Sequence, residues 1–150
     1  MNELLRMVAI TDAHGRIVER VTLARAERVH RQLRAQLEPD YVAHMTRVFA
    51  DGARMCVAER AGSVLGVAVF RMYENTCDGV HLYVDDLVTD DTARSSGVGK
   101  ALLDHLQAAA RARGCKHLTL DSGTQRTRAH GFYLREGLFI RGFHFAKPIQ

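Results

Sequence analysis

An anion-binding loop is predicted where a strand gives way to a helix, in the run Arg94-Ser95-Ser96-Gly97-Val98-Gly99-Lys100 (the glycine loop, residues 94–100). Glycines let the backbone approach a phosphate closely, and the free N–H groups and dipole at a helix start favour negative charge. Arg94 and Lys100 flank the loop with positive charge. The alternative is a glycine-containing helix entry that binds no ligand.

Two better-known phosphate loops are excluded by single residues. A Walker A loop needs Ser or Thr after Gly-Lys, and Ala101 stands there. A dinucleotide fingerprint needs a third glycine where Leu102 stands. The glycine loop would therefore hold a phosphate in another way.

Two adjacent acids, Asp85 and Asp86 (the carboxylate pair), lie inside the strand predicted over residues 81–88. Strand alternation predicts Asp85 on the face of His81 and Tyr83, with Asp86 on the opposite face. Buried acids are unfavourable unless they are paired or functional. The carboxylate pair therefore has either a catalytic role or a structural role, in which its hydrogen bonds shape the strand.

Periodicity and turn residues predict the elements that position these groups. In the first half we expect a strand at 4–10, helices at 23–37 and 39–50 with Pro39 in the first turn of the second, a hairpin of strands 53–60 and 64–73, and the strand at 81–88. In the second half we expect a helix at 97–113, a strand at 117–121, a helix at 126–136 ended by Gly137, and a last strand at 138–146. This order predicts one α/β (α+β) domain over residues 1–150, a mixed sheet with helices on both faces.

Two motifs together identify a family resemblance. Arg94, Gly97 and Gly99 form R-x-x-G-x-G between strand and helix, and Ala129-His130-Gly131-Phe132-Tyr133 follows before Gly137. This pairing resembles the Gcn5-related N-acetyltransferase (GNAT) superfamily, over about residues 55–145. The resemblance implies a three-layer fold with a mixed central sheet of six or seven strands, splayed middle strands and about four helices.

The resemblance also implies acetyl-CoA as co-substrate. Its pyrophosphate would lie on the glycine loop, and its pantetheine arm would hydrogen-bond the preceding strand end. The cofactor-binding residues would be Leu87, Val88, Thr89, Arg94, Ser95, Ser96, Gly97, Val98, Gly99 and Lys100. One departure is Arg126, which stands where the family often has an amide-bearing residue that contacts the pantetheine.

Catalytic residues follow from the same resemblance. Tyr133 stands where the family's general acid stands; the alternative is a tyrosine that packs beside Phe132. Tyr-Val-Asp-Asp, ending at the carboxylate pair, resembles the Tyr-x-Glu-Asp of diamine acetyltransferases, which makes Asp85 the base, directly or through water. Glu74 and Asp121 are the alternative bases.

The acceptor would be an amine of a small molecule or peptide. An unusually polar stretch at residues 120–126 lies, by the resemblance, next to the reaction centre. The expected acceptor-binding residues are Asp86, Asp121, Ser122 and Arg126. No metal is expected, because His130 and His144 lack partners at metal-ligand spacing.

The amino-acid composition argues against several other classes of protein. The chain has 47% hydrophobic and 25% charged residues, and 21 Lys+Arg against 17 Asp+Glu give a net charge of +4. No basic block occurs, which argues against a nucleic-acid module. The three cysteines do not suggest a disulfide framework. The sequence contains no apolar run long enough to span a membrane and no signal peptide, so we expect a cytoplasmic protein without membrane association. Two alternatives stay open: a non-catalytic acyl-CoA-binding sensor, and a homodimer.

Overall fold

Strands that follow one another along the chain pair as neighbours. The computed structural model describes residues 3–150, with strands β1 (Arg6–Ala9), β2 (Arg54–Arg60), β3 (Ser63–Asn75), β4 (Gly79–Thr89) and β5 (His117–Leu120). Within that range they form one mixed five-stranded sheet in the order β1-β2-β3-β4-β5, in which the first four strands pair antiparallel. The predicted mixed sheet of an α/β fold is confirmed, with five strands rather than six or seven.

Four α-helices accompany the sheet in residues 3–150: α1 (Arg20–Leu33), α2 (Tyr41–Ala50), α3 (Val98–Arg113) and α4 (Thr127–Arg135). A short 3₁₀ helix, Asp91–Ala93, precedes the glycine loop. Pro39 lies outside α2 rather than in its first turn, because Asp40 caps the helix by accepting from the Ala43 N–H (3.0 Å). None of these helices combines the length and apolar character needed to cross a bilayer.

The predicted hairpin between β2 and β3 is confirmed and closes through two residues. Ala61 and Gly62 both have positive φ, 52° and 75°, and Arg60 pairs with Ser63 across the turn. Two successive left-handed residues give the type I′ geometry whose twist matches that of the flanking strands. The hairpin therefore sets the register of β3 against β2 beside the turn, and a bulge at Leu65 then shifts that register by one residue.

The sheet is covered on both faces. Met55, Val57, Val67 and Val69 belong to one buried cluster with apolar residues of α1 and α2. On β3, Gly66 alternates with these residues and lies against α3, where a Cβ would be 2.7 Å from both Val98 Cγ1 and Leu102 Cδ1. This close approach places the first turn of α3 directly on β3.

The chain forms two compact units, one reaching to Thr119 and one spanning Leu120–Gln150. The first contains the sheet strands β1 to β4 with α1, α2 and α3. The second contains α4, which ends as predicted at Gly137 (φ 87°), where the Leu138 N–H donates to the Tyr133 carbonyl (3.0 Å).

The strand predicted over residues 138–146 is wrong. The described residues 138–150 contain no strand. Phe143 and Phe145 are 86% and 91% exposed. The alternating aromatic residues satisfy the sequence pattern of a strand, but a strand forms only where a neighbouring strand accepts its backbone hydrogen bonds.

Candidate functional site

The glycine loop presents backbone N–H groups at the start of α3. Across residues 3–150, no side chain caps the first turn of this helix. The Ala101 N–H donates to the Gly97 carbonyl (3.0 Å), so the N–H groups of Val98, Gly99 and Lys100 precede the helical hydrogen-bond ladder. These amides and the helix dipole together favour a bound anion.

The backbone of the loop alternates in handedness before the helix begins. Ser95 (φ 60°) and Gly97 (φ 87°) are both left-handed, and the Ser96 hydroxyl donates to the Ala93 carbonyl. The loop from Arg94 to Gly97 is exposed. Backbone N–H groups that converge in such turns form concavities that hold phosphate oxygens. The loop therefore has the features that a pyrophosphate group needs.

A buried carboxylate ties the strand end before the loop to α1. Asp90 is 1% exposed and accepts from Arg28 Nη2 (2.5 Å), Gln32 Nε2 (3.1 Å) and the Thr92 N–H (3.3 Å). The hydrogen bonds of Arg28 in particular hold the pKa of Asp90 well below its usual range. This contact fixes the point from which the glycine loop departs.

The end of β4 is held on its β3 side. Leu87, Val88 and Thr89 lie opposite Ala68, Val67 and Gly66, and the side chains of Leu87 and Val88 are buried. The other neighbour of β4 in the sheet is β5. The predicted adjacency of these two strands is thereby confirmed.

The carboxylate pair lies at a β-bulge. Asp86 is opposite Val69 and Val84 is opposite Phe70, which leaves Asp85 as the extra residue of β4. A bulge interrupts strand alternation and re-aims the side chains beside it. The predicted strict alternation of Asp85 and Asp86 therefore does not hold.

Asp85 makes one ion pair and keeps one oxygen available. Its Oδ2 accepts from Arg71 Nε (2.8 Å), while its Oδ1 accepts no hydrogen bond from the described residues. Burial raises the pKa of Asp85 above its ordinary value, Arg71 acts to lower it, and the charge of Asp86 acts to raise it. A half-buried carboxylate with a raised pKa and an available oxygen can accept a proton.

Asp86, in contrast, accepts a hydrogen bond from a side chain at each of its two oxygens. Oδ2 accepts from His30 Nε2 (2.8 Å) and Oδ1 from Arg34 Nε (2.6 Å). The Nδ1 atom of His30 faces the Tyr41 hydroxyl (2.9 Å), and His30 is 1% exposed. Burial acts to raise the pKa of Asp86, but the hydrogen bonds and charges of His30 and Arg34 outweigh it, so the pKa lies below its usual value.

The remaining predicted residues belong to the unit Leu120–Gln150. Tyr133 is buried beside Phe132, and burial raises the pKa of its hydroxyl while the charge of Arg126 acts to lower it. Ser122 Oγ is buried with no hydrogen-bond partner among residues 3–150. Asp121 lies 3.5 Å from His144 Nδ1.

A family model decides the classification. The GNAT acetyltransferase family model matches residues 21–138, most of the chain. The chain belongs to the GNAT acetyltransferase family. The predicted family and the prediction of an acyltransferase are thereby confirmed.

Relatives of this GNAT chain include acetyltransferases of several kinds. An N-acetyltransferase of Bacillus subtilis (strain 168), YhdJ, is 38% identical over 96 residues, covering 54% of this chain and 68% of the relative. The aminoglycoside N-acetyltransferase AAC(6')-Iy, solved in complex with CoA, superposes with a TM-score of 0.80 at 18% identity, over 99% and 98% of the two chains. The ribosomal-protein-alanine N-acetyltransferase of Brucella melitensis biovar Abortus 2308 gives 0.79 at 15% identity, over 98% and 100%. At these identities the two structures show the fold alone.

Sequence reasoning missed the side chains that surround the carboxylate pair in this GNAT fold. Arg71 lies on β3, whereas His30 and Arg34 lie at the end of α1. His30 follows the buried Ala26 by four residues, so helical periodicity could have indicated that it is buried. Nothing in the local sequence pairs either arginine with an aspartate far along the chain. Glu74, an alternative base, is exposed opposite Val80, near the turn between β3 and β4.

Proposed function

We propose that residues 1–150 act as one N-acetyltransferase domain that transfers an acetyl group from acetyl-CoA directly to a primary amine of a small molecule or peptide. The observation that carries this proposal is the start of α3 without a side-chain cap, where the left-handed Ser95 and Gly97 precede the amides that lie before the helical hydrogen-bond ladder. Family membership supports acetyl transfer, and the solved AAC(6')-Iy complex with CoA supports the co-substrate.

The residues that would hold acetyl-CoA have two tasks. The amides of residues 95–100 would bind the pyrophosphate, with Arg94 and Lys100 beside them. Leu87, Val88 and Thr89 would hydrogen-bond the pantetheine arm as an added strand would. When bound, acetyl-CoA supplies an activated thioester.

Asp85 is proposed as the base. A lysine-like amine with a pKa of about 10.4 must lose a proton before it attacks, which at pH 7 corresponds to about 3.4 pH units, or about 4.6 kcal/mol. Asp85 Oδ1 has no hydrogen-bond partner in the described part of the chain, and burial raises the pKa of its carboxyl group. It would accept the proton directly or through water.

Tyr133 is proposed as the general acid. Burial raises the pKa of its hydroxyl, so the hydroxyl stays protonated at neutral pH and can donate a proton. The departing thiolate would take that proton. Arg126 lies seven residues earlier and acts to lower the same pKa, which favours proton release.

Asp121, Ser122 and Arg126 are proposed to bind the acceptor. Ser122 Oγ is buried and lacks a hydrogen-bond partner within residues 3–150. A ligand that hydrogen-bonds to a buried hydroxyl of this kind removes the cost of leaving it unsatisfied. Similar solved structures are named for aminoglycoside and ribosomal-protein-alanine acetylation, which supports an amine acceptor.

An acceptor screen tests the proposal. Purified protein is incubated with acetyl-CoA and a panel of diamines, amino sugars, lysine peptides and N-terminal alanine peptides, and free thiol release is followed. We expect thiol release with at least one class, together with a mass increase of the acceptor by one acetyl group. Thiol release without an acetylated acceptor would indicate hydrolysis and contradict the proposal.

A further inference from the structure

Arg34 links the two members of the carboxylate pair through different atoms. Its Nε donates to Asp86 Oδ1 (2.6 Å), and its Nη2 donates to the backbone carbonyl of Asp85 (3.1 Å). The planar guanidinium has a fixed fork geometry, so the two bonds hold the bulged peptide at a set position relative to Asp86. Arg34 is thus bonded to the residue that carries the proposed base.

The other side of Asp86 is fixed by a buried chain of hydrogen bonds. His30 Nε2 donates to Oδ2 (2.8 Å), and the Tyr41 hydroxyl faces His30 Nδ1 (2.9 Å). His30 and Tyr41 are 1% and 2% exposed. Each Asp86 oxygen thus already accepts a hydrogen bond from a side chain of the protein, and an acceptor amine would have to compete with His30 and Arg34 for it. The position of Asp86 is set by these two side chains, with Tyr41 of α2 behind His30.

We propose that Asp86 and Arg34 form a positioning pair that orients Asp85 and sets the charge around it, and that Asp86 does not bind the acceptor. This inference rests on the proposed function, in which Asp85 is the base. Asp85 sits at a bulge, where the β4 ladder does not define the direction of its side chain. The bond from Arg34 to its carbonyl constrains the bulged backbone, and the ion pair with Arg71 constrains the carboxylate.

The charges facing Asp85 act in opposite directions. Arg71 from β3 and Arg34 from α1 favour its ionised form, whereas the neighbouring Asp86 disfavours it. Asp86 itself faces His30 of α1 and Arg34, the residue that follows α1, and Tyr41 of α2 lies behind His30. Arg71 also donates to the Asp51 carbonyl (2.8 Å) at the end of α2, which keeps it beside Asp85.

Substitutions at the two members of the positioning pair should shift the pKa of Asp85 in opposite directions. Asp86→Asn removes a negative charge and should lower the pKa of Asp85, whereas Arg34→Gln removes a positive charge and should raise it. The carboxyl ¹³C signal of Asp85, identified by its loss in Asp85→Asn, is titrated by NMR in the full chain. Glu38→Gln is the control, because it removes a carboxylate from an exposed ion pair with Arg47 and should leave the Asp85 titration unchanged.

Turnover completes the test. We expect Asp86→Asn and Arg34→Gln each to lower kcat about tenfold or more while CoA affinity is kept, because a displaced base reacts poorly. NMR shifts in the same direction, or no shift in either variant, would overturn the inference. Opposite shifts with unchanged kcat would overturn it as well. If wild-type protein acetylates no amine, the proposed function fails, whereas the NMR titration still decides whether the pair controls Asp85.

Discussion

The glycine loop makes its site from backbone groups, whereas the carboxylate pair makes its site from side chains. In the loop, the amides that lie before the helical hydrogen-bond ladder follow two left-handed residues, and the first turn of α3 has no side-chain cap in the described chain. Around the carboxylate pair, Arg71, Arg34 and His30 come from β3 and α1. The loop can form its site from local sequence, but the pair needs a folded sheet and a docked helix.

The difference suggests that one region binds the co-substrate and the other carries out the chemical step. Backbone amides bind a phosphate whatever the neighbouring side chains are, which suits a co-substrate common to a whole family. Side chains collected from several elements can set the pKa and direction of one carboxylate, which suits the chemical step. Substitutions in the two regions should therefore differ in whether they lower CoA affinity or turnover.

Gly97→Val should have the largest effect. Its φ of 87° is strained for a β-branched residue, so the amides at the start of α3 must move. We expect CoA affinity measured by calorimetry to fall at least about 100-fold. Gly52→Val is the matched control, because Gly52 has a φ of 100° and equally open surroundings but lies after α2. Equal CoA affinity in Gly97→Val and wild type would contradict the cofactor assignment.

Asp85→Asn tests the chemical region. We expect kcat to fall about 10²–10⁴-fold, as is typical when a general base is lost, with CoA affinity kept. The loss should be greatest below neutral pH and partly recovered at high pH, where the acceptor deprotonates by itself. Glu74→Gln is the control and should keep wild-type turnover. A pH-independent loss in Asp85→Asn would mean that Asp85 positions groups and accepts no proton.

Tyr133→Phe removes one hydroxyl from the proposed acid. Turnover should fall about 10²-fold, while calorimetry should give wild-type CoA affinity. A chemical role predicts this split between turnover and binding, and a packing role predicts a lower melting temperature instead. A loss below about threefold would reject the acid role.

Asp90→Asn should have the smallest effect and acts on stability. The lowered pKa of Asp90 means that its charged form stabilises the fold above the ordinary value of about 3.9, and that this stabilisation is lost as pH falls through the folded-state pKa. We expect the free energy of unfolding at pH 7 to fall by about 1–3 kcal/mol, measured by urea denaturation. The deficit should shrink below about pH 4.

A control on α3 distinguishes the effect of burial from the effect of charge in this experiment. Asp104→Asn removes a carboxylate from an exposed pair with Lys100 (3.0 Å). Such pairs contribute little, so we expect a change below about 0.5 kcal/mol. A similar loss of stability in both variants would mean that the buried contact of Asp90 with α1 has no special role.

The same contrast explains what the sequence could predict. The glycine loop, α3 and the β2–β3 hairpin depend on residues that lie within a few positions of one another, and all three were predicted. The bulge at Asp85 and the partners of the carboxylate pair depend on contacts between distant elements, which local periodicity does not contain. The predicted last strand failed for a related reason: the apolar alternation of residues 138–146 is local, but a strand also needs a neighbour.

Packing at Gly66 determines where the glycine loop and the start of α3 lie relative to β3. The helix that begins after the glycine loop lies on β3 where Gly66 has no side chain, and one methyl group there would be 2.7 Å from Val98 and from Leu102. A side chain at this position would force Val98 and Leu102 to shift, and because Val98 lies in the first turn of α3, any movement of the helix would carry the amides of that turn with it. The spacing between the end of β4 and the amides at the start of α3 thus depends on the packing of the core. Under the proposed function, a substitution in the core would change acetyl-CoA affinity without altering any group that touches the co-substrate.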